Sequence, residues 1–176
     1  MYPFIRLAYQ MAKHRNDPPL EFDGVHISQH YCLPWDIDMW MELNNGRTLT
    51  LYDLGRLPFS QRIGMISALK RRKWGMVVAG LSVRYRRRVT MFQKFEMRTR
   101  AIGRDARFFY LSQTMWRNGE ATSSALYRAA VTDKNGMVAT DLVAAEMGKP
   151  DWNPPLPDWV QAWIEAEDTR IWPPED

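Results

Sequence analysis

Between residues 76 and 132 the chain alternates apolar and polar side chains in four segments that short turn signals separate. These segments are 76–89, 95–102, 107–116 and 121–132. Alternation with a period of two is typical of strands that bury one face. Asn118-Gly119 adds a strong hairpin signal between the last two segments. The pattern predicts a meander of four antiparallel strands.

One further strand and a long helical region precede this meander. Residues 25–33 indicate a strand, whereas residues 35–46 lack periodicity and indicate a loop. From Arg47 the pattern becomes helical, and a second helical run is predicted over 59–73. Pro58 lies between the two runs, and a proline usually ends or kinks a helix. A long helix beside an antiparallel sheet is an α+β arrangement, so we expect the sheet to curve around the helix.

The domain formed by these strands and helices is expected to span residues 21–148. A further segment is predicted on each side of it. Residues 1–20 contain a short amphipathic helix followed by a proline-containing linker. Residues 149–176 contain proline clusters around a second amphipathic helix. The N-terminal helix is interpreted as packing on its own protein, with contact between residues 1–14 and a membrane surface as the alternative.

The composition narrows the class of protein. Hydrophobic residues make up 45% and charged residues 25% of the 176 residues, as in ordinary globular proteins. Cys32 is the only cysteine, so an intrachain disulfide is impossible and a cytoplasmic location is expected. His14, His26 and His30 do not form a ligand cluster with Cys32, so neither a metal nor a cofactor is predicted. The net charge of +4 suits an anionic partner, but no nucleic-acid-binding motif accompanies it.

The predicted loop carries the most specific signal in the chain, WDIDMWMELNNG at residues 35–46. Asp36 and Asp38 stand two residues apart, and the pair Asn44-Asn45 follows a largely apolar stretch. This spacing resembles the motif Asp-x-Asp-x-x-Gly-His-Val-Asn-Asn of hotdog-fold acyl-CoA thioesterases. The resemblance is to the 4-hydroxybenzoyl-CoA thioesterase type, and within it to the THEM-like branch.

The resemblance covers roughly residues 25–139 and implies the hotdog fold, an antiparallel sheet wrapped around a central helix. Helical extensions would then flank this domain at both ends. The chain departs from the motif at Met41 and Glu42, where the family has glycine and histidine. The glycine lets the loop approach the substrate, and the histidine contributes a hydrogen bond. Glu42 is expected to be exposed to solvent.

The resemblance also implies catalytic roles for three residues. Asp38 matches the family's catalytic carboxylate, which attacks a thioester directly or deprotonates the attacking water. The backbone amides of Asn45 and Gly46, at the start of the helix, would stabilise the negative charge that develops on the carbonyl oxygen.

Three nearby polar residues are interpreted mainly as structural. Asp36 is expected to fix the loop, and Asn44 to hold the turn through bonds from its side chain to the backbone. Asn44 is also predicted to contact the substrate. Asp53 occupies a helical position where other hotdog branches place an acid, and its preferred interpretation is a buried carboxylate paired with Arg56 or Arg47.

The implied substrate is a thioester of CoA or of acyl-carrier protein, and water is the second reactant. Trp40 and its apolar neighbours suit an acyl tunnel, and they equally suit a dimer interface. Arg84 and Arg86 would bind the phosphates of CoA, or they belong to a solvated strand face. Hotdog proteins build their sites between subunits, so a homodimer or tetramer is implied.

A second function stays open beside hydrolysis. A hotdog protein could bind acyl groups or a protein partner without turnover. The replacement of glycine and histidine by Met41 and Glu42 is the sequence feature that favours this alternative.

Overall fold

The computed structural model of the chain describes residues 2–171 and 173–174. The α-helices are α1 (Phe4–Lys13), α2 (Asn45–Arg62), α3 (Met65–Arg72), α4 (Thr140–Glu146) and α5 (Asp158–Asp168). The strands are β1 (His26–Tyr31), β2 (Gly75–Tyr85), β3 (Lys94–Arg104), β4 (Phe109–Arg117), β5 (Glu120–Asp133) and β6 (Gly136–Val138). A short 3-10 turn at Pro34–Asp36 follows β1.

The strands form one antiparallel sheet in the order β1-β3-β4-β5-β2, and β6 also pairs with β5. β3, β4 and β5 form a meander, and Asn118-Gly119 joins β4 to β5 with φ angles of 50° and 79°. Two successive positive φ angles are what a two-residue hairpin turn requires. The prediction that β2 continues this meander was wrong, because β2 pairs with β5 and not with β3.

α2 packs against one face of the sheet, which confirms the predicted α+β arrangement of a sheet curved around a helix. The buried helix residues Leu51, Leu54 and Phe59 share one core with Met97 and Tyr127 of the sheet. Helix and sheet thus bury each other's apolar surface, which is the main favourable contribution to folding.

Gly55 marks a close approach of α2 to the sheet. A Cβ atom at this position would lie 2.6 Å from the Met97 sulfur and 2.9 Å from Thr99 Oγ1. We expect Gly55→Ala to lower the free energy of unfolding by about 1–3 kcal/mol, because overpacking displaces well-packed neighbours. Urea denaturation would measure the change, with the exposed Ser67→Ala in α3 as control. An unchanged midpoint for Gly55→Ala would show that α2 can shift away from the sheet freely.

α2 continues through Pro58, so the predicted boundary between two helical runs at this proline was wrong. The proline lacks the amide that would donate to the Leu54 carbonyl. Both residues are buried in the core, and their packing holds this segment in the helix. The break comes instead at Gly64, whose φ of 83° lies in the left-handed region between α2 and α3.

β2 ends at Tyr85, before the predicted end at residue 89. Beyond it, the amides of Arg86 and Arg87 both donate to the Thr122 carbonyl. The chain thus leaves the regular strand pairing and runs back toward the motif as a loop.

α1 packs on the domain, as the preferred interpretation predicted, but through Leu7 and polar residues, while much of its apolar face points outward. Gln10 and His14 are buried, and Arg6 reaches the Tyr31 carbonyl at 2.8 Å. Phe4 and Ile5 are 70% and 87% exposed. An amphipathic surface helix usually buries its apolar face, so this arrangement is reversed. In the part of the chain that the structure describes, no helix is long and apolar enough to cross a membrane.

Two histidines of β1 are buried beneath α1. His26 meets the His14 ring edge-on with centroids 4.6 Å apart, and His30 shares a hydrogen bond of 2.8 Å with Ser28 Oγ. Burial lowers the pKa of His26 to about 4 and the pKa of His30 to about 3. Both histidines therefore stay neutral and serve packing.

Acid is expected to destabilise the fold as the pH falls from about 6.5 to about 3. Over this pH range His26 and His30 bind protons in the unfolded chain but not in the folded protein. The free energy of unfolding is therefore highest above this range and decreases as the pH falls through it. Thermal unfolding across this range would measure the loss. A double variant His26→Gln/His30→Gln should flatten the dependence, and an unchanged slope would locate the acid sensitivity elsewhere.

α5 covers the other face of the sheet. Its Val160 packs with Phe108, Tyr110 and Leu126, whose side chains point away from α2 because successive strand residues alternate. Gly103 lets this C-terminal segment come close, since a Cβ there would lie 2.5 Å from a Leu156 methyl carbon. The C-terminal extension thus adds a second layer to the sheet.

Candidate active site

The motif folds into a small hairpin that leads into the first turn of α2. The Asp38 amide donates to the Glu42 carbonyl at 2.9 Å, and the Met41 amide donates to the Asp38 carbonyl at 3.0 Å. At the base, the Asn44 amide donates to the Asp36 carbonyl at 2.9 Å. The segment predicted as an irregular loop is thus held by its own backbone bonds.

Asp36 is fully buried, and two arginines hold its carboxylate. Arg6 Nη1 donates to Oδ2 at 2.6 Å, and Arg47 Nε donates to Oδ1 at 2.6 Å. The Leu33 amide donates to Oδ2 at 3.0 Å. These charge-assisted bonds tie the hairpin to α1 and α2. They agree with the interpretation of Asp36 as a structural residue.

Asp38 lies farther along the hairpin and is partly exposed. Its Oδ1 accepts the Trp40 amide at 2.9 Å, which fixes the side chain in a turn. Across residues 2–171 and 173–174, no arginine or lysine forms an ion pair with it. Of the two aspartates, Asp38 is therefore the one whose carboxylate could act on a ligand.

Asn44 caps α2. Its Oδ1 accepts the Arg47 amide at 2.9 Å, and its carbonyl accepts the Thr48 amide at 2.8 Å. The amides of Asn45 and Gly46 have no acceptor within the described residues, as is usual for the first turn of a helix. They also lie at the positive end of the helix dipole. The cap occupies the Asn44 side chain, which supports its structural interpretation.

Met41 and Glu42 depart from the family motif in different ways. Met41 adopts a φ of 60°, in the left-handed region that normally favours glycine. For a residue with a side chain this conformation costs about 1–2 kcal/mol. Glu42 is only 27% exposed and pairs with Arg88 at 2.8 Å, so the expectation of a solvent-exposed side chain was wrong. The exposed Arg88 approaches it from the loop after β2.

The predicted substrate contacts lie on two elements. Trp40 is exposed near the tip of the hairpin, and Arg84 and Arg86 are exposed around the end of β2. Neither arginine forms an ion pair in the part of the chain that the structure covers. Between them, the Tyr85 hydroxyl donates to the Asn45 carbonyl at 2.9 Å. This bond places the end of β2 beside the first turn of α2.

Asp53 is paired with Arg56, as its preferred interpretation predicted. Asp53 Oδ2 also accepts the Tyr2 hydroxyl at 2.8 Å. Arg56 continues to Gln113 Oε1 at 3.2 Å and lies 4.1 Å from the centre of the Tyr127 ring. Burial and the bond to Asp53 raise the pKa of Tyr2 to about 12, so this hydroxyl stays a donor.

A groove of about 1150 Å³ opens beside the first turn of α2. It separates the start of α1 from the base of the hairpin, and Asn44 and Gly46 border it. The other predicted site residues are not part of its lining in the single chain; these are Asp38, Trp40, Asn45, Arg84 and Arg86. The contribution of α1 to this site was not predicted from the sequence. The only signal was Arg6, a charge that interrupts an apolar segment.

Comparison with protein families decides the class of the protein. Residues 32–164, three-quarters of the chain, match the model of the Thioesterase-like superfamily. The chain belongs to this superfamily. Membership confirms the resemblance on which the sequence prediction relied, and it supports a thioester hydrolase at the level of the family.

Three proteins illustrate what this member of the Thioesterase-like superfamily is similar to. Protein THEM6 of Xenopus laevis is 29% identical over 170 residues, covering 94% of this chain and 80% of THEM6. The probable thioesterase YbaW of Escherichia coli superposes with a TM-score of 0.66 at 16% identity, covering 70% and 97%. A hypothetical protein of Staphylococcus aureus in complex with CoA superposes with a TM-score of 0.60 at 9% identity, covering 80% and 92%. The structural matches confirm the predicted hotdog fold.

Proposed function

We propose that this protein hydrolyses thioesters of CoA or of acyl-carrier protein, with Asp38 as the catalytic carboxylate. The observation that carries the proposal is the placement of Asp38 on a hairpin whose base is the cap of α2. Among the described residues, this short unit then holds both a carboxylate without an ion pair and amides without an acceptor. The superfamily supports the hydrolase class, and the CoA bound to the Staphylococcus aureus protein supports CoA thioesters.

In this proposal the thioester carbonyl oxygen accepts bonds from the amides of Asn45 and Gly46. These donors and the helix dipole stabilise the negative charge as the carbonyl is attacked. Asp38 either takes a proton from the attacking water or attacks the carbonyl carbon itself, which gives a mixed anhydride that water then hydrolyses. In both routes the carbon–sulfur bond breaks, and the thiolate leaves and takes up a proton.

A homodimer or tetramer built along β2 belongs to the same proposal. The outer edge of β2 has no partner strand among the described residues. Its exposed apolar side chains include Val77, Val78 and Leu81. The Tyr85 bond to Asn45 means that a second subunit joined along this edge would reach the site. Arg84 and Arg86 would then lie where the phosphates of CoA enter.

We expect Val77→Arg to shift the protein toward the monomer, because charges on an edge strand oppose pairing. Light scattering after size-exclusion chromatography would measure the mass in solution. Ile27→Arg is the matched control on the opposite edge, since Ile27 and Val77 are 47% and 49% exposed. A monomeric wild-type protein would remove the proposed interface.

Binding of acyl groups without turnover is the second candidate function, and Met41-Glu42 is the observation that favours it. The deciding experiment measures free thiol release from a panel of acyl-CoAs. A parallel titration uses an acyl-CoA analogue in which the thioester sulfur is replaced by a methylene group. Thiol release supports hydrolysis, whereas binding of the analogue without any thiol release supports the second function.

A further inference from the structure

The groove beside α2 has two chemically different parts. One part is apolar and consists of Phe4 and Ile5 from α1 facing Trp35 and Ile37 from the motif region. Trp35 is 68% exposed, and Phe4 and Ile5 are more exposed still. A ligand that covered these side chains would remove a large apolar surface from water.

The other part of the groove is polar. Arg6 and Arg47 lie at its base, and both hold the Asp36 carboxylate. Gly46, whose amide has no acceptor within the described residues, borders this part. Its surroundings suit the carbonyl or carboxylate end of a molecule whose remainder is apolar.

The size of the groove distinguishes it from a second, smaller apolar cavity of the domain. The cavity lined by Phe22, Met76 and Trp152 has a volume of about 20 Å³, which holds little more than a water molecule. The groove of about 1150 Å³ is slightly larger than typical ligand pockets. It has room for a chain of many carbon atoms, and a two-carbon acetyl group would leave most of it empty.

From these three features we propose that the groove binds the acyl chain of the substrate, with α1 as one of its walls. The ligand class is a linear acyl group of medium to long chain length, and the free fatty acid that hydrolysis releases binds in the same place. This inference rests on the proposed thioesterase function and names the class of acyl group that the site prefers.

The reversed packing of α1 then has a physical reason. Arg6 binds Asp36 and the Tyr31 carbonyl, and the Tyr2 hydroxyl binds Asp53. These polar anchors hold the start of α1 next to the motif, and they turn the apolar side chains of Phe4 and Ile5 toward the groove and solvent.

The test measures kcat/KM for acetyl-, hexanoyl-, decanoyl- and palmitoyl-CoA with the full-length chain. Ile5→Asp places a charge in the wall, and Trp35→Ala removes the opposite wall. Ala8→Asp puts the same charge on an exposed position of α1 outside the groove lining. Trp159→Ala removes an exposed tryptophan of α5. Calorimetric titration with decanoate measures binding to each variant independently of hydrolysis.

We expect each wall variant to lose about tenfold or more with decanoyl-CoA and less than about twofold with acetyl-CoA, because each methylene gains energy on burial. Decanoate should bind the wild type and both control variants more tightly than either wall variant. Wall variants that keep the wild-type chain-length profile and decanoate affinity would overturn the groove assignment while leaving the thioesterase function intact. If the wild type cleaves no thioester, the proposed function fails, and decanoate binding still decides whether the groove takes acyl chains.

Discussion

Replacing Asp36 with alanine is expected to lower the free energy of unfolding by about 3–5 kcal/mol. The carboxylate is fully buried and neutralises Arg6 and Arg47, which are themselves only 19% and 13% exposed. Its removal would leave two guanidinium groups with little water and one fewer anion, and breaking a buried ion pair costs this much. The Leu33 amide would also lose its acceptor.

Urea denaturation of the variant and the wild type would measure the effect of Asp36→Ala. Asp151→Ala is the matched control, because Asp151 is exposed and its loss should change stability by less than about 0.5 kcal/mol. A double variant Arg6→Met/Asp36→Ala should lose less than the sum of the two single changes, since the residues act as a pair. If Asp36→Ala lowered the free energy of unfolding no more than Asp151→Ala, the packing of the hairpin on α1 and α2 would not depend on this carboxylate.

For Asp36, the sequence predicts the role of the residue but not its partner in α1. Its structural role follows from its place in the motif. Its partner Arg6 stands 30 residues earlier, in a segment whose apolar pattern indicated a helix packed by the opposite face. Local periodicity assigns a helix but not the neighbour that the helix will contact. The reversed orientation of α1, and with it the groove, therefore required the tertiary structure.

The order of the strands in the sheet could not be predicted from local patterns either. Each of the strands β2 to β5 was indicated by alternation, but β2 lies beyond β5 and not beside β3. Alternation fixes which side chains share a face, while the order of strands depends on where the connections run. Met41 is a further case, because the family motif has glycine at the position where the structure has a φ of 60°. Only the structure shows that Met41 takes a backbone conformation that a residue with a side chain does not favour.

Replacing Asp38 with asparagine is expected to lower kcat/KM for thioester hydrolysis by about 10²–10⁴-fold. Asparagine keeps the size of the side chain, and its carbonyl oxygen can still accept the Trp40 amide that now lies 2.9 Å from Asp38 Oδ1. The hairpin should therefore keep its shape, and the melting temperature should stay close to that of the wild type. What the variant loses is the negative charge that attacks the carbonyl or takes a proton from water.

Asp133→Asn is the matched control for Asp38→Asn. Asp133 Oδ1 accepts the Asn135 amide at 2.7 Å, the same bond to the residue two positions on, in the turn between β5 and β6. Both variants should have melting temperatures close to that of the wild type, but only Asp38→Asn should strongly lower the rate of thiol release from acyl-CoA. Full activity of Asp38→Asn would refute its catalytic role and direct attention to Asp53. Loss of activity in both variants would mean that the substitution acts through folding, which their melting curves would reveal.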